Sequence, residues 1–343
     1  MKILCVGDVH IKVNNLGLID QLENKIIETL RDNPKIEMVV LLGDILHDHE
    51  RLHTLAMNRA FSFIKTLAGC VSVYVLVGNH DYIQNDQFLT ENHWMVMLKN
   101  NVKNVTIVDH VEQVYFSGTK YLTFVPYVPN GRFVEALETT SLDWRGSSFI
   151  FAHQEFRGAD LGATSSAHGD EWGETLPMIV SGHIHGKQWI GENIFYVGSP
   201  FNHNFGETSD SVMLEIDCKS FELREIPLVF PKRRTLYTTL EGLDGVVGAM
   251  NDVDHFRIFI QSSLVGFKGF QRTDQYKELI DRGVKVVCLP PSAVEDVEDL
   301  GEREHFPHLM MKKILEKRDE YLYSTASRIL ENRVVNPEDI LIV

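Results

Sequence analysis

Five short apolar runs in the first two hundred residues each stop at a carboxylate, an amide or an imidazole, and this pattern restricts the fold more than any other feature. Lys2 to Gly7 (KILCVG) stops before Asp8 and His10, Glu37 to Gly43 (EMVVLLG) before Asp44, and Val71 to Gly78 (VSVYVLVG) before Asn79, His80 and Asp81. Ser148 to Ala152 (SFIFA) stops before His153, and Met178 to Ser181 (MIVS) before His183 and His185. Runs this short, rich in β-branched residues, read as buried strands. Between them, Leu18 to Leu30 carries Ile19, Leu22, Ile26, Ile27 and Leu30 at helical spacing, and Leu55 to Leu67 repeats the device with Phe61 and Ile64. Strands alternating with amphipathic helices predict an α/β sheet with helices packed on it. Functional groups in such sheets gather outside the carboxyl ends of the strands, so the five polar stops are expected to converge on one rim.

The residue types at the stops define a chemistry. Asp8, His10, Asp44, Asn79, His153, His183 and His185 are all competent metal ligands. Imidazole mixed with carboxylate and amide oxygens suits divalent first-row ions, and it is neither the thiolate set of structural zinc nor the all-oxygen cage of calcium. One carboxylate such as Asp44 can bridge two ions, and a pair held about 3.5–4 Å apart can generate hydroxide from water and clamp a phosphoryl group. A single Gly-Asp after a strand is an ordinary turn. Five such stops in succession are not, and they predict phosphoester hydrolysis.

Composition removes several alternatives. The 343 residues are 44% hydrophobic and 24% charged, an ordinary globular balance of about two domains. Lys plus Arg number 33 against 48 Asp plus Glu, a net charge of -15, which excludes a wholesale basic wrapper for nucleic acid but not a local basic patch. Cys5, Cys70, Cys218 and Cys288 form no C-x-x-C pair, so a reducing, cytoplasmic setting is expected. No stretch approaches ~18 apolar residues, and no signal-type leader is apparent, so no membrane association is expected.

Beyond Asn193, three strand-like runs (IFYVGSP, SVMLEID, FELREIP) follow closely and suggest a β meander that closes a first domain at residue 230. Lys232, Arg233 and Arg234 then interrupt the pattern and are candidate phosphate contacts. Residues 235–291 read as a small α/β unit, with RIFIQSSL and VKVVCLPP as strands around a helix at Gln271 to Arg282. Residues 292–343 read as an acidic linker and an apolar-striped helix at 309–332. His49 and His53 read as helix-start positions, His93 and His110 as surface or helix-facing residues, and His203 as a loop residue able to approach the rim.

The ordered set GDVH, GDILH, GNHD, AHQEF and GHIH resembles the calcineurin-like metallophosphoesterase superfamily over roughly the first 230 residues. The resemblance implies a four-layer α/β/β/α sandwich carrying a small α/β cap and a C-terminal helical segment. It implies one metal held by Asp8, His10, Asp44 and His185, and a second by Asp44, Asn79, His153 and His183. It also implies that His80 protonates the leaving oxygen or stabilises the transition state, with Asp81 orienting its ring. Manganese is the expected ion, with magnesium as the other choice.

Within the superfamily the chain is most similar to the SbcD-type nuclease subunits of DNA double-strand-break repair, including phage-encoded ones. His47 in GDILH, the FYVGSPFNHNFGE stretch and the following small unit carry that similarity. It implies a DNA exonuclease and endonuclease in which His47 positions DNA and residues 235–291 form a DNA-binding cap, while the 309–332 helix either docks on an SbcC-like ATPase or folds back on its own cap. A homodimer is also implied. The rival expectations are a stand-alone enzyme acting on a small phosphodiester, nucleotide or phosphoprotein, and a catalytically inert scaffold, which the complete ligand set argues against.

Overall fold

In the computed structural model the described residues are 1–290 without 50, 100, 163, 208 and 209. The expected acidic linker and ATPase-docking helix of 292–343 lie outside them. In chain order the elements are β1 (Lys2–Val6), α1 (Leu16–Asp32), β2 (Ile36–Leu41), α2 (Thr54–Ala68), β3 (Ser72–Leu76), β4 (Val105–Val108), β5 (Glu112–Ser117), β6 (Lys120–Phe124), α3 (Phe133–Leu137), β7 (Phe149–His153), β8 (Ile179–Gly182), β9 (Gln188–Ile190), β10 (Ile194–Tyr196), β11 (Val212–Asp217) and β12 (Glu222–Pro227). After them come β13 (Arg233–Thr239), α4 (Leu243–Gly248), β14 (His255–Gln261), α5 (Leu264–Phe270), α6 (Asp274–Asp281) and β15 (Lys285–Leu289).

The first sheet has the order β12-β11-β1-β2-β3-β4 and the second β5-β6-β7-β8-β10-β9. β1 to β4 pair in parallel, as do β6, β7, β8 and β10, so the carboxyl ends within each group point one way. Side-chain alternation then sorts the layers. Ile3 and Cys5 of β1 face Phe124, Phe149 and Phe151 of the second sheet, while Leu4 and Val6 face Ile19, Leu22 and Ile26 of α1 and Phe63 and Ile64 of α2. Outside the second sheet, Ile150 and Tyr196 pack with Phe133, Trp144 and Phe156. Two sheets face one another with helical layers outside, the expected α/β/β/α order. Among the described residues no helix is long and apolar enough to cross a membrane.

The meander expected after Asn193 is corrected. β10 pairs in parallel with β8 in the second sheet, whereas β11 and β12 form an antiparallel pair on β1 in the first. Short, wholly buried strands carry no local mark of which sheet they join.

The chain divides into two compact units, residues 1–236 with 249–257 and, among the described residues, 237–248 with 258–290. A third sheet has the order β13-β14-β15. In the smaller unit, Ile258, Ile260, Phe267, Phe270, Leu279 and Val284 are buried.

Candidate active site

The strand ends converge. From the first sheet come Asp8 and His10 after β1, Asp44 after β2, and Asn79 and His80 after β3; from the second come His153 at the end of β7 and His183 and His185 after β8. The backbone turns sharply to present three of them, for His10, Asp44 and His183 have φ of 46°, 51° and 81°. Non-glycine residues seldom hold that conformation, and where they do the surroundings must enforce it. Part of the enforcement is visible: Asn15 Nδ2 donates to the His10 carbonyl at 3.0 Å, and the His183 amide donates to Asp8 Oδ1 at 2.7 Å. Gly43 (φ 101°) and Gly78 are required by close approach, because a Cβ at either would overlap the His153 ring or the Asp44 carboxylate.

All seven candidate ligands are brought together in two groups that share Asp44. His10 Nε2 stands 3.0 Å from His185 Nε2 and 3.5 Å from Asp44 Oδ2. On the other side His153 Nε2 lies 3.3 Å from Asp44 Oδ1 and 3.1 Å from Asn79 Oδ1, and His183 Nδ1 lies 2.9 Å from the same amide oxygen. Each Asp44 oxygen therefore faces a different histidine group, the disposition a bridging carboxylate needs. Asp8 Oδ2 is buried with no hydrogen-bond partner. A buried carboxylate oxygen left unpaired is costly, and so are imidazole nitrogens aimed at one another. Both observations, with a donor set of histidine, aspartate and asparagine, fit divalent cations held among Asp8, His10 and His185 and among Asp44, His153 and His183.

Electrostatics agree with the grouping. Burial drives His10 well below the ordinary histidine range. Burial also opposes charge on Asp44 and His153, yet their attraction wins, holding Asp44 well below the usual carboxylate range and raising His153 to about 9. Burial acts against protonated His185 too, and Glu207 overcomes it and raises the imidazole.

The residues behind the ligands fix their tautomers. His153 Nδ1 donates to the Leu42 carbonyl at 2.6 Å and His185 Nδ1 to Glu207 Oε1 at 2.9 Å, leaving both Nε2 atoms for the centre. Glu207 also accepts from the His203 amide and from Asn204 Nδ2. His203 packs edge-on against His10 and His185 at 4.8 and 5.1 Å, and its Nε2 meets the Asp8 carbonyl at 3.2 Å.

His80 sits at the outer margin of this centre. Its amide donates to Asp44 Oδ1 at 2.8 Å and its Nδ1 to the His47 carbonyl at 2.6 Å, which leaves Nε2 for a reacting group. The expected role of Asp81 is corrected here. Its carboxylate accepts from the Ile45, Leu46 and Gly78 amides and from Trp94 Nε1, binding the two strand-end loops together, and no described hydrogen bond joins it to His80. The His80 ring is oriented instead by the His47 carbonyl and by His49, stacked on it at 4.4 Å and 22°. His47 itself reaches His10, Nδ1 to Nδ1, at 3.4 Å. His53 caps α2 by accepting from the Leu55 amide.

The three cations of the KRR stretch part company. Lys232 pairs with Asp210 at 2.7 Å and Arg234 with Asp254 at 2.5 Å, while Arg233 Nε donates to the Asn202 carbonyl at 3.2 Å. A groove of about 500 Å³ leads from His183 and His185 past Leu161, Lys187 and Gln188.

Residues 1–187 match the calcineurin-like phosphoesterase family model. The chain is 39% identical over 340 residues to "Putative phosphoesterase 078R" of Invertebrate iridescent virus 3, covering 96% of each chain. It is 41% identical over 280 residues to "Putative phosphoesterase 244L" of Invertebrate iridescent virus 6, covering 79% of this chain and 97% of that one. Among solved structures, an archaeal phosphodiesterase aligns with 66% of this chain and 100% of its own at 14% identity and a TM-score of 0.35, a likeness too slight to carry an argument. The strand-end ligand rim thus lies within a chain that belongs to the calcineurin-like phosphoesterase family.

Proposed function

We propose that this protein is a manganese-dependent phosphodiesterase that cleaves DNA. The observation that carries the reading is the outer row of imidazoles at the metal rim. His80 is fixed by the His47 carbonyl with Nε2 directed away from its anchor, and His47 stands beside it, the two rings 5.8 Å apart. Bound at the two ligand groups, divalent ions would supply a nucleophile from water and offset charge on the phosphoryl oxygens.

The remaining work falls to the chain's own groups. With Nδ1–H committed to the His47 carbonyl, a protonated His80 presents its Nε2–H to the leaving oxygen, as a general acid or as a charge on the transition state. His47 holds that ring through its backbone and offers its half-exposed imidazole to the substrate strand. Asp81 keeps the loops carrying Asp44 and His80 in register. The groove beside His183 and His185 gives a polymer room to continue past the scissile bond. The nuclease reading brings with it a homodimer and an SbcC-like ATPase partner.

The test is manganese-dependent hydrolysis of end-labelled linear duplex and single-stranded DNA beside a chromogenic phosphodiester. His80→Ala is expected to keep its metal and lose turnover by about a hundredfold or more on both. Turnover of the small ester alone, with DNA untouched even beside an SbcC-like partner, overturns the nuclease reading in favour of a small-phosphodiester enzyme. Parental rates in His80→Ala overturn the proton-donor role.

A further inference from the structure

Each group of candidate ligands has a glutamate behind it. On the Asp8 side, Glu207 accepts from His185 Nδ1, the His203 amide and Asn204 Nδ2. On the Asn79 side stands Glu155, two residues beyond His153. Its Oε1 accepts from Ser166 Oγ at 2.5 Å and its Oε2 from Asn130 Nδ2 at 3.5 Å, while Oε2 also faces His183 Nε2 at 3.9 Å. That last approach is close but longer than a hydrogen bond. Glu155 is 21% exposed and could turn its carboxylate to water. Ser166, itself buried, and Asn130 hold it against the imidazole instead.

His183 is the ligand whose tautomer most needs such a partner. His153 and His185 turn Nε2 to the centre and commit Nδ1 to the Leu42 carbonyl and to Glu207. His183 is reversed, for its Nδ1 meets Asn79 Oδ1 at 2.9 Å and His153 Nε2 at 3.3 Å. A neutral imidazole carries one N–H and one lone pair, so a lone pair at Nδ1 requires the proton at Nε2. No described hydrogen bond reaches that nitrogen, and the carboxylate it faces is that of Glu155. The rest of the residue is already fixed: its amide donates to Asp8 Oδ1 at 2.7 Å, and its ring lies 5.8 Å from that of Tyr127 at 32°. The position of the proton is what remains to be set.

We propose that Glu155 is a positioning residue that keeps the proton of His183 on Nε2 and its lone pair on Nδ1, so that loss of the carboxylate weakens one metal group and spares the other. This role rests on the two-metal reading of the rim and is independent of whether DNA is the substrate. A partner behind a ligating imidazole fixes its rotation and raises its basicity, and removing one lowers metal affinity by about 10–100-fold.

The experiment titrates manganese into the chelator-treated full-length protein and follows free Mn2+ by electron paramagnetic resonance. Wild type is expected to take up two ions. Glu155→Ala is expected to keep one at parental affinity and to weaken the other about 10–100-fold, and excess manganese should recover its turnover of a small phosphodiester. Glu155→Gln, whose amide oxygen still accepts from Nε2–H, is expected to stay within about threefold of wild type. In a His183→Ala background, adding Glu155→Ala should change nothing further, whereas adding Glu207→Ala should weaken the ion that remains. Parental affinity at both sites of Glu155→Ala, or a further loss from it in the His183→Ala background, overturns the assignment. Equal weakening of both ions with a lower melting temperature in chelator would show that Glu155 serves only structure. Should Glu155→Ala fail to fold, Glu155→Met keeps the volume without the acceptor and carries the same test. A wild type that takes up fewer than two ions overturns the two-metal reading itself, a failure visible before any variant is made.

Discussion

Asp109 is 3% exposed and accepts from His93 Nε2 at 3.0 Å, His110 Nδ1 at 2.9 Å and Lys99 Nζ at 2.7 Å. At the strand-end rim, by contrast, buried Asp8, Asp44, His10 and His153 and half-buried His183 and His185 face one another with like atoms opposed. His10 Nε2 meets His185 Nε2 at 3.0 Å, His183 Nδ1 meets His153 Nε2 at 3.3 Å, and Asp8 Oδ2 meets no donor. Around Asp109 both carboxylate oxygens meet donors, and in this cluster only His93 Nδ1 is buried without a partner. The rim is complete only with cations added. Residue composition alone does not separate these clusters; the direction in which lone pairs and protons point does.

The comparison breaks most visibly at Asp8. Asp8→Asn replaces the carboxylate by a neutral amide at nearly constant shape, so metal content and turnover are expected to fall together, turnover by on the order of a thousandfold. Thermal stability in chelator should hold or rise, because the wild-type oxygen has nothing to bond. Elemental analysis and a melt in chelator check this. Full metal content in Asp8→Asn would remove Asp8 from the set of required ligands. A gentler perturbation comes from Glu207→Ala, which leaves every proposed ligand in place but frees His185 Nδ1. Metal affinity is expected to weaken about 10–100-fold, measured by competition with a chromophoric chelator. An unchanged affinity would remove Glu207 from the centre.

Much of this was legible because metal ligation tolerates few residue types and the α/β plan admits few places to put them. Asp8, Asp44, Asn79, His153 and His183 each announce themselves by ending an apolar run, and α1 and α2 fall within two residues of the spans read from apolar spacing. What stayed hidden depends on long-range pairing. β5 mixes exposed and half-buried residues and carries no long apolar run, and β10 joins a sheet that its sequence cannot specify. The resemblance implies that Asp81 orients His80, yet its carboxylate reaches back to Ile45 and Leu46. His49 reads in sequence as a helix-start position, but the loop after β2 lays its ring on His80. His93 read as surface or helix-facing, but its partner Asp109 lies sixteen residues on, at the end of β4, and the pair is buried.

That misread histidine supplies the last prediction, which sharpens the contrast from the structural side. Burial pushes the Asp109 carboxyl upward, but the His93, His110 and Lys99 donors outweigh it and hold the group below the ordinary carboxylate range. A depressed folded-state pKa means that the unfolded chain binds the proton more readily than the folded one. The resulting stability is fully present above the unfolded value of about 4 and is lost as pH falls through the folded value. Asp109→Ala strands a buried imidazole and part of the Lys99 charge, so it is expected to cost about 2–3 kcal/mol at neutral pH. Its deficit relative to wild type should shrink as the solution is acidified below about pH 4. Urea titrations at pH 7 and pH 3 measure both quantities. Turnover of the small phosphodiester at a temperature where the variant is folded should match wild type, because Asp109 touches none of the proposed ligands. A variant that folded normally but lost its metal would show that the two clusters are coupled and that the separation drawn between them is wrong.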